Sequence, residues 1–214
     1  MLFFKSPHAP FTDWDPATEH LTDGVIMPVP PAATLANAQR EPEIIKRSLG
    51  RPSGMNYLTN PKALDRHMRD YYRLIASMDM GVERVIQALE QRGLHRNTVI
   101  LFTSDNGHYK GEHGLAGKWL MHEPSLRVPG FIFDPRRAGG KQSPRMVITT
   151  DFSATMLALG GLEIPDTIPG RDLTRLADNP EAPWRADFYY DHPYSHHGKI
   201  PRTIGGRTAR HTYT

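Results

Sequence analysis

The stretch FTSDNGHYKGEHGLAGKW, residues 102–119, crowds a carboxylate, an amide, two histidines and two lysines into one glycine-rich segment. Asp105 and Asn106 offer a carboxylate oxygen and an amide carbonyl, hard donors of the kind that Ca²⁺ and Mg²⁺ take. A histidine in the second place would have pointed toward zinc or manganese. Two oxygens do not complete a coordination shell, so further ligands must come from elsewhere. The same Asp-Asn-Gly run favours an Asx turn at the end of a strand, and the dipeptide alone leaves both readings open. Lys110 and Lys118 are cations that solvent could equally accommodate, and His108 and His113 are loop imidazoles with no partner evident from spacing. The glycines of this loop let it close tightly, as wrapping an anion requires.

The elements around this loop must hold it in place. From Asp65 to Gly93 the apolar residues Ile75, Met78, Val82, Val85, Ile86 and Leu89 follow the spacing of one helix face, and Gly93 ends the helix. The run NTVILFTS then predicts a short strand buried on both faces. Helix, tight turn and strand make an α/β unit, and in open parallel sheets ligands gather at the carboxyl ends of the strands, where Asp105 and Asn106 stand. The first four residues read as the end of a buried strand that emerges into KSPHAPF. Residues 11–62 are proline-rich and lack periodicity, which predicts a long surface excursion with one short helix near 42–48. VPGFIFDP predicts a second strand, and TTDFSATMLALGG predicts a helix capped by Thr150 or Asp151. After about residue 175 the rhythm gives way to short strands and loops, a second and smaller sheet that breaks off with Tyr213 in an unfinished strand.

Composition narrows the class. The 214 residues suffice for one large domain, and 38% hydrophobic content permits a sizeable core. The net charge of +3 is dispersed, with no basic run along a helix face, which argues against nucleic acid as a partner. With no cysteine, the chain has no disulfide, no thiolate metal site and no cysteine nucleophile. No apolar run approaches the length of about 18 residues that crosses a bilayer, and the opening MLFFKSPHAP is too short in its apolar part for a signal peptide.

The order TSDNG, GEHG, GK thirteen residues after the Asp, then EPSLRVPG resembles the formylglycine-dependent sulfatase family. FFKSPHAPF resembles a second segment of that family, and DHPYSHHGKIPRTIGGRTARHTYT its entry into a small C-terminal subdomain. The resemblance implies an α/β fold of the alkaline phosphatase type: a mostly parallel sheet sandwiched by helices over residues 1–175, then the start of a small antiparallel subdomain over 176–214. It makes Asp105 and Asn106 ligands of a divalent cation, Ca²⁺ as a rule with Mg²⁺ as the other choice. Lys118 and Lys5 would hold the sulfate, with His8 the proton donor to the leaving oxygen. His108, His113 and His197 are the implied substrate-binding residues, and Arg127 is implied to be a structural ion-pair partner. Fixed cations and a metal neutralise a sulfate ester without reorganising as a nucleophile approaches, and an imidazole can protonate the departing oxygen near neutral pH. The substrate implied is a small or oligosaccharide sulfate ester, in an exported protein with no membrane span.

The family's nucleophile, a formylglycine made within C/S-x-P-x-R, has no counterpart here: HEPSLR and RPSG do not match. The acidic pair that completes the metal site is absent too. These gaps lead to the expectation that the chain is a C-terminal portion, with the nucleophile on sequence before Met1. Two other readings remain: a phosphodiesterase or phosphonate hydrolase of the same superfamily, and a non-catalytic binding module.

Overall fold

The computed structural model describes residues 1–137 and 139–214. They form two compact units that alternate along the chain. Unit 1 comprises Met1–Thr98, His108–Lys118 and His196–Pro201, and unit 2 comprises Val99–Gly107, Trp119–Ser195 and Arg202–Thr214.

Unit 1 opens with residues 1–5 outside any regular element, and Phe3 is 83% exposed. The predicted strand end is therefore not a strand, and no described strand pairs with it. The proline-rich excursion holds more structure than its lack of periodicity suggested. A 3-10 turn covers Pro16–Thr22, followed by α1 (Leu35–Arg40), α2 (Glu43–Lys46) and α3 (Arg51–Thr59). Only α2 was legible in advance. Polar anchors onto the long helix α4 (Pro61–Gln91) impose this order. The Asp15 amide donates to Ser77 Oγ at 2.8 Å, Trp14 Nε1 to Asp70 at 3.2 Å and Arg69 Nη2 to the Val25 carbonyl at 2.8 Å. Such bonds leave no hydrophobic period behind.

α4 begins where local chemistry places it. Asn60 Oδ1 accepts from the Ala63 amide at 3.3 Å, Pro61 occupies the first turn, and Gly93 at φ 65° follows the last one. Its buried side chains are Leu64, His67, Met68 and Leu74, all in the first half. The face from Ile75 to Leu89 that periodicity marked is only half covered, with Ile86 38% exposed. Leu64 and Met68 pack with Met27 and Tyr57 into the core of this unit.

After α4 the chain passes through β1 (Ile100–Thr103) of unit 2 and returns to unit 1 for the small hairpin of β2 (Tyr109–Lys110) and β3 (Ala116–Gly117). α3 lies directly on this hairpin. A Cβ at Gly54 would stand 2.3 Å from the Leu115 backbone, so only glycine permits the approach. Arg51 clamps the same loop, donating from Nη1 to the His113 carbonyl at 2.9 Å and from Nη2 to the Ala38 carbonyl at 3.0 Å.

Unit 2 continues with α5 (Glu123–Leu126), β4 (Gly130–Phe133), α6 (Thr149–Leu159) and α7 (Thr174–Asp178). β1 and β4 pair antiparallel, from Ile100 opposite Phe133 to Thr103 opposite Gly130. The helix–strand rhythm had predicted parallel neighbours. The connection between these two strands instead contains the hairpin excursion, which reverses the chain, and β1 is half-buried rather than enclosed on both faces. Asp151 is not the cap of α6 but its third residue, accepting from the Ile148 amide at 2.9 Å. The unit ends in an antiparallel sheet of β5 (Asp187–His192), β6 (Thr203–Thr208) and β7 (Thr212–Tyr213), the small second sheet expected after residue 175.

Candidate active site

In unit 2, Asp105 and Asn106 follow the carboxyl end of β1. Asp105 Oδ1 accepts from the Asn106 amide, one residue on, at 2.8 Å, whereas the Gly107 amide that an Asx turn would use goes to the Ser125 carbonyl. Asn106 Nδ2 donates to the Gly107 carbonyl at 2.9 Å. Those bonds leave Asp105 Oδ2 and Asn106 Oδ1 without hydrogen bonds among the described residues. The ligand reading fits these contacts, because they use one set of atoms and leave two hard oxygens for a cation. Gly107 seats the pair. Its amide donates to the Ser125 carbonyl at 2.8 Å, and a Cβ there would meet the Pro124 carbonyl at 2.1 Å. Arg127 is exposed and makes no ion pair among the described residues; Glu123 is instead paired with Arg207 at 2.7 Å.

The other expected site residues, Lys5, His8, His108, His113, Lys118 and His197, all belong to unit 1. Lys5 is exposed and lies 4.0 Å from Asp13, a pair that solvent screens. His8 is exposed, with Nδ1 3.0 Å from the Ala9 carbonyl. A carbonyl only accepts, so Nδ1 carries a hydrogen and Nε2 is the nitrogen left to exchange a proton with a ligand. His113 takes a left-handed backbone, φ 58°, and its Nδ1 stands 2.7 Å from Glu41. With Arg51 on its carbonyl, this residue fastens the loop to α1 and α3. His197, also left-handed at φ 48°, is exposed beside His196 with ring centroids 4.5 Å apart.

His108 and Lys118 have a more enclosed setting. The His108 ring lies 5.6 Å from His67 in a stacked pair and 5.5 Å from Phe11 edge-on. His67 in turn stacks on Tyr57 at 4.9 Å and meets Phe11 edge-on at 4.5 Å. Lys110 Nζ lies 4.3 Å from the centroid of the Tyr71 ring and 3.2 Å from the His108 carbonyl. Burial, then the charge of Lys110, brings His67 down to about 4. Burial, then Lys110, His67 and Lys118, brings His108 down to about 3, so both rings are neutral at physiological pH. Burial lowers Lys110 as well, against the opposing charge of Glu112.

Sequence reasoning singled out His108 and passed over His67, Tyr57, Tyr71 and Phe11, and it left Lys110 as a solvated lysine. The available signal was on α4. His67 occupies the same stripe as Leu64, Met68, Tyr71 and Leu74, a polar residue set at an inward position of a helix.

The family model described as Sulfatase matches residues 1–162. An N-acetylglucosamine-6-O-sulfatase of Bacteroides thetaiotaomicron is 34% identical over 148 residues, which cover 67% of this chain and 26% of that protein. An arylsulfatase of Clostridium perfringens is 33% identical over 141 residues, covering 64% of this chain and 29% of the relative. The chain therefore spans little more than a quarter of the length of these curated relatives. A protein solved in complex with its substrate, D-glucosamine-2-N,6-O-disulfate, superposes with a TM-score of 0.76 at 23% identity, over 96% of this chain and 53% of its own. That likeness establishes the α/β architecture of alkaline phosphatase-like sulfatases.

Proposed function

The chain belongs to the sulfatase family, and from that membership we propose that the protein carrying it hydrolyses sulfate esters, with sulfated hexosamines or glycosaminoglycan fragments as its substrate class. One observation carries the reading: the family match over residues 1–162 contains a carboxylate–amide pair whose free oxygens suit a hard divalent cation. Members of the family generally bind a divalent metal, and Ca²⁺ is the ion we assign. Asp105 Oδ2 and Asn106 Oδ1 would hold it, with other ligands supplied from outside this pair. When bound, such an ion neutralises charge on the sulfate oxygens.

Lys118 and Lys5 bind sulfate oxygens as fixed positive charges that need no reorganisation during the reaction. His8, protonated, gives the hydrogen on Nε2 to the leaving oxygen, while its Nδ1–H stays on the Ala9 carbonyl and holds the ring in place. His108 orients the sugar, and His113 and His197 are assigned supporting contacts with it. The nucleophile is proposed to be a formylglycine on sequence outside these 214 residues, since they contain no cysteine and no serine followed by x-Pro-x-Arg. Residues 1–175 are assigned to the main domain and 176–214 to a small C-terminal subdomain, which the antiparallel pairing of β5, β6 and β7 supports. Export is assigned on family grounds alone; no helix among the described residues is long and apolar enough to cross a membrane.

The test is turnover by the natural full-length protein on 4-nitrophenyl sulfate and on glucosamine 6-O-sulfate, with and without Lys118→Ala. We expect hydrolysis of both and a fall in kcat/KM of about 10²–10³-fold in the variant, the usual loss when one charge-stabilising donor is removed. Activity indifferent to Lys118→Ala overturns the site. A preference for a phosphonate monoester over every sulfate ester overturns the reaction.

A further inference from the structure

The cluster around His67 has features that its packing does not explain. His67 is 6% exposed, and its Nε2 has no hydrogen-bond partner; Nδ1 of His108, the ring stacked on it, has none of good geometry, although the Tyr109 backbone lies close enough to favour the His108 cation. A buried polar atom left unpaired is destabilising, and native proteins rarely keep two side by side without a bound group or a water to satisfy them. Lys110 has the same character. Its half-buried ammonium touches the His108 carbonyl and the Tyr71 face; the charge of Glu112 bears on it, but no carboxylate stands at ion-pair distance among the described residues. The fixed charges that bear on His108 are those of Lys110 and Lys118, both cations. Phe11, Tyr57 and Tyr71 wall the cluster with aromatic faces. Positive charge that Glu112 opposes only from beyond ion-pair distance, buried imidazole nitrogens and flat apolar walls together match a sugar ring that bears an anionic substituent.

We propose that His67, His108 and Lys110, walled by Phe11, Tyr57 and Tyr71, form a subsite for a second anionic group, sulfate or carboxylate, on the same sugar that carries the scissile sulfate. This deepens the reading of the protein as a sugar sulfatase and rests on it. Lys110 supplies the charge. The two neutral imidazoles supply N–H donors, directly or through one water, since each ring can place its hydrogen on either nitrogen. His67 is a positioning and specificity residue in this scheme and takes no part in bond breaking. The subsite makes a doubly charged substrate bind better than a singly charged one.

Binding is measured by calorimetry on the full-length protein with N-acetylglucosamine, its 6-O-sulfate, glucosamine 2-N,6-O-disulfate and glucuronic acid 2-O-sulfate. The natural protein is expected to bind the two doubly charged sugars at least about tenfold more tightly than the 6-O-sulfate, a difference that one charge-assisted hydrogen bond can supply. Lys110→Met and, separately, His67→Phe are expected to remove most of that ratio, each checked for folding by its thermal transition, so that either variant decides if the other fails to fold. A ratio near one in the natural protein, or one kept in the folded variants, overturns the subsite. Unsulfated N-acetylglucosamine binding as tightly as the disulfate marks a neutral-sugar pocket and overturns it as well. Turnover is read separately. A protein that shows the ratio but cleaves no sulfate ester loses the proposed reaction and keeps the subsite, and the reverse outcome keeps the reaction and loses the subsite.

Discussion

At the scale of single residues, the environment of a side chain mattered more here than its type. Two histidines four residues or fewer from a glycine, His108 and His113, looked alike in sequence. The structure gives one a stack of aromatic rings and the other a carboxylate at 2.7 Å. His67 carries a testable consequence. Its folded-state value lies near 4, below the usual 6.5, because burial and then the charge of Lys110 disfavour its cation. A lowered histidine means that the unfolded chain binds the proton more readily. Stability from this residue is therefore complete above pH 6.5 and is lost as pH falls toward 4. From His67 alone the protein should be about 2 kcal/mol less stable at pH 5 than at pH 7. Urea midpoints at the two pH values should show this, and His67→Phe should shrink the difference. An identical pH dependence in the variant would exclude His67 as its source.

At the scale of elements, the instructive residue is Asp151. Its place before an apolar run suggested a helix cap, and it does take the Ile148 amide. It also accepts from the Arg171 amide at 2.7 Å and from Arg185 Nη2 at 2.7 Å, with its own side chain completely buried and that of Arg185 8% exposed. Thr155 extends the network, donating to the Asp151 carbonyl at 2.6 Å and accepting from the Leu173 amide at 2.9 Å. One carboxylate thus ties α6 to the segments before α7 and before β5. Asp151→Ala should destabilise unit 2 by about 3–5 kcal/mol, because it strands the Arg185 charge in a dry site. A second change, Arg185→Met, should recover a substantial part of that loss, since no charge then lacks a partner. Denaturant unfolding of the single and double variants decides it; a double variant weaker than the single would show that Arg185 has other partners to satisfy.

For the whole molecule, the organising fact is that two compact units alternate three times each along the chain. The loop quoted at the outset is itself divided, with Asp105 and Asn106 in one unit and His108 through Lys118 in the other. A cation that binds the native protein and not the unfolded chain raises stability by about 2.7 kcal/mol at a hundred times its dissociation constant. Ca²⁺ should accordingly raise the melting temperature of the full-length protein, chelation should reverse the rise, and Asp105→Ala should abolish it. A melting temperature that neither Ca²⁺ nor Mg²⁺ moves, in a protein that is otherwise folded, would remove Asp105 and Asn106 from the metal site.

The sequence alone determined what local chemistry can encode. α4, the two β-strands on either side of the glycine loop and the family motifs follow from spacing and side-chain type within a few positions of each other. It also determined the oxygen donors, because ligand hardness belongs to the residue. Only tertiary structure decided the rest. The ordered excursion before α4 is held by single polar bonds to Asp70, Ser77 and Arg69, which are about fifty residues away in sequence and leave no period to read. The antiparallel pairing of β1 with β4 depends on where a long connection turns back. The box around His67 assembles Phe11, Tyr57, Tyr71 and His108 from four separate segments. Burial and charge, which make two ordinary histidines neutral, are properties of that assembly and of no residue within it.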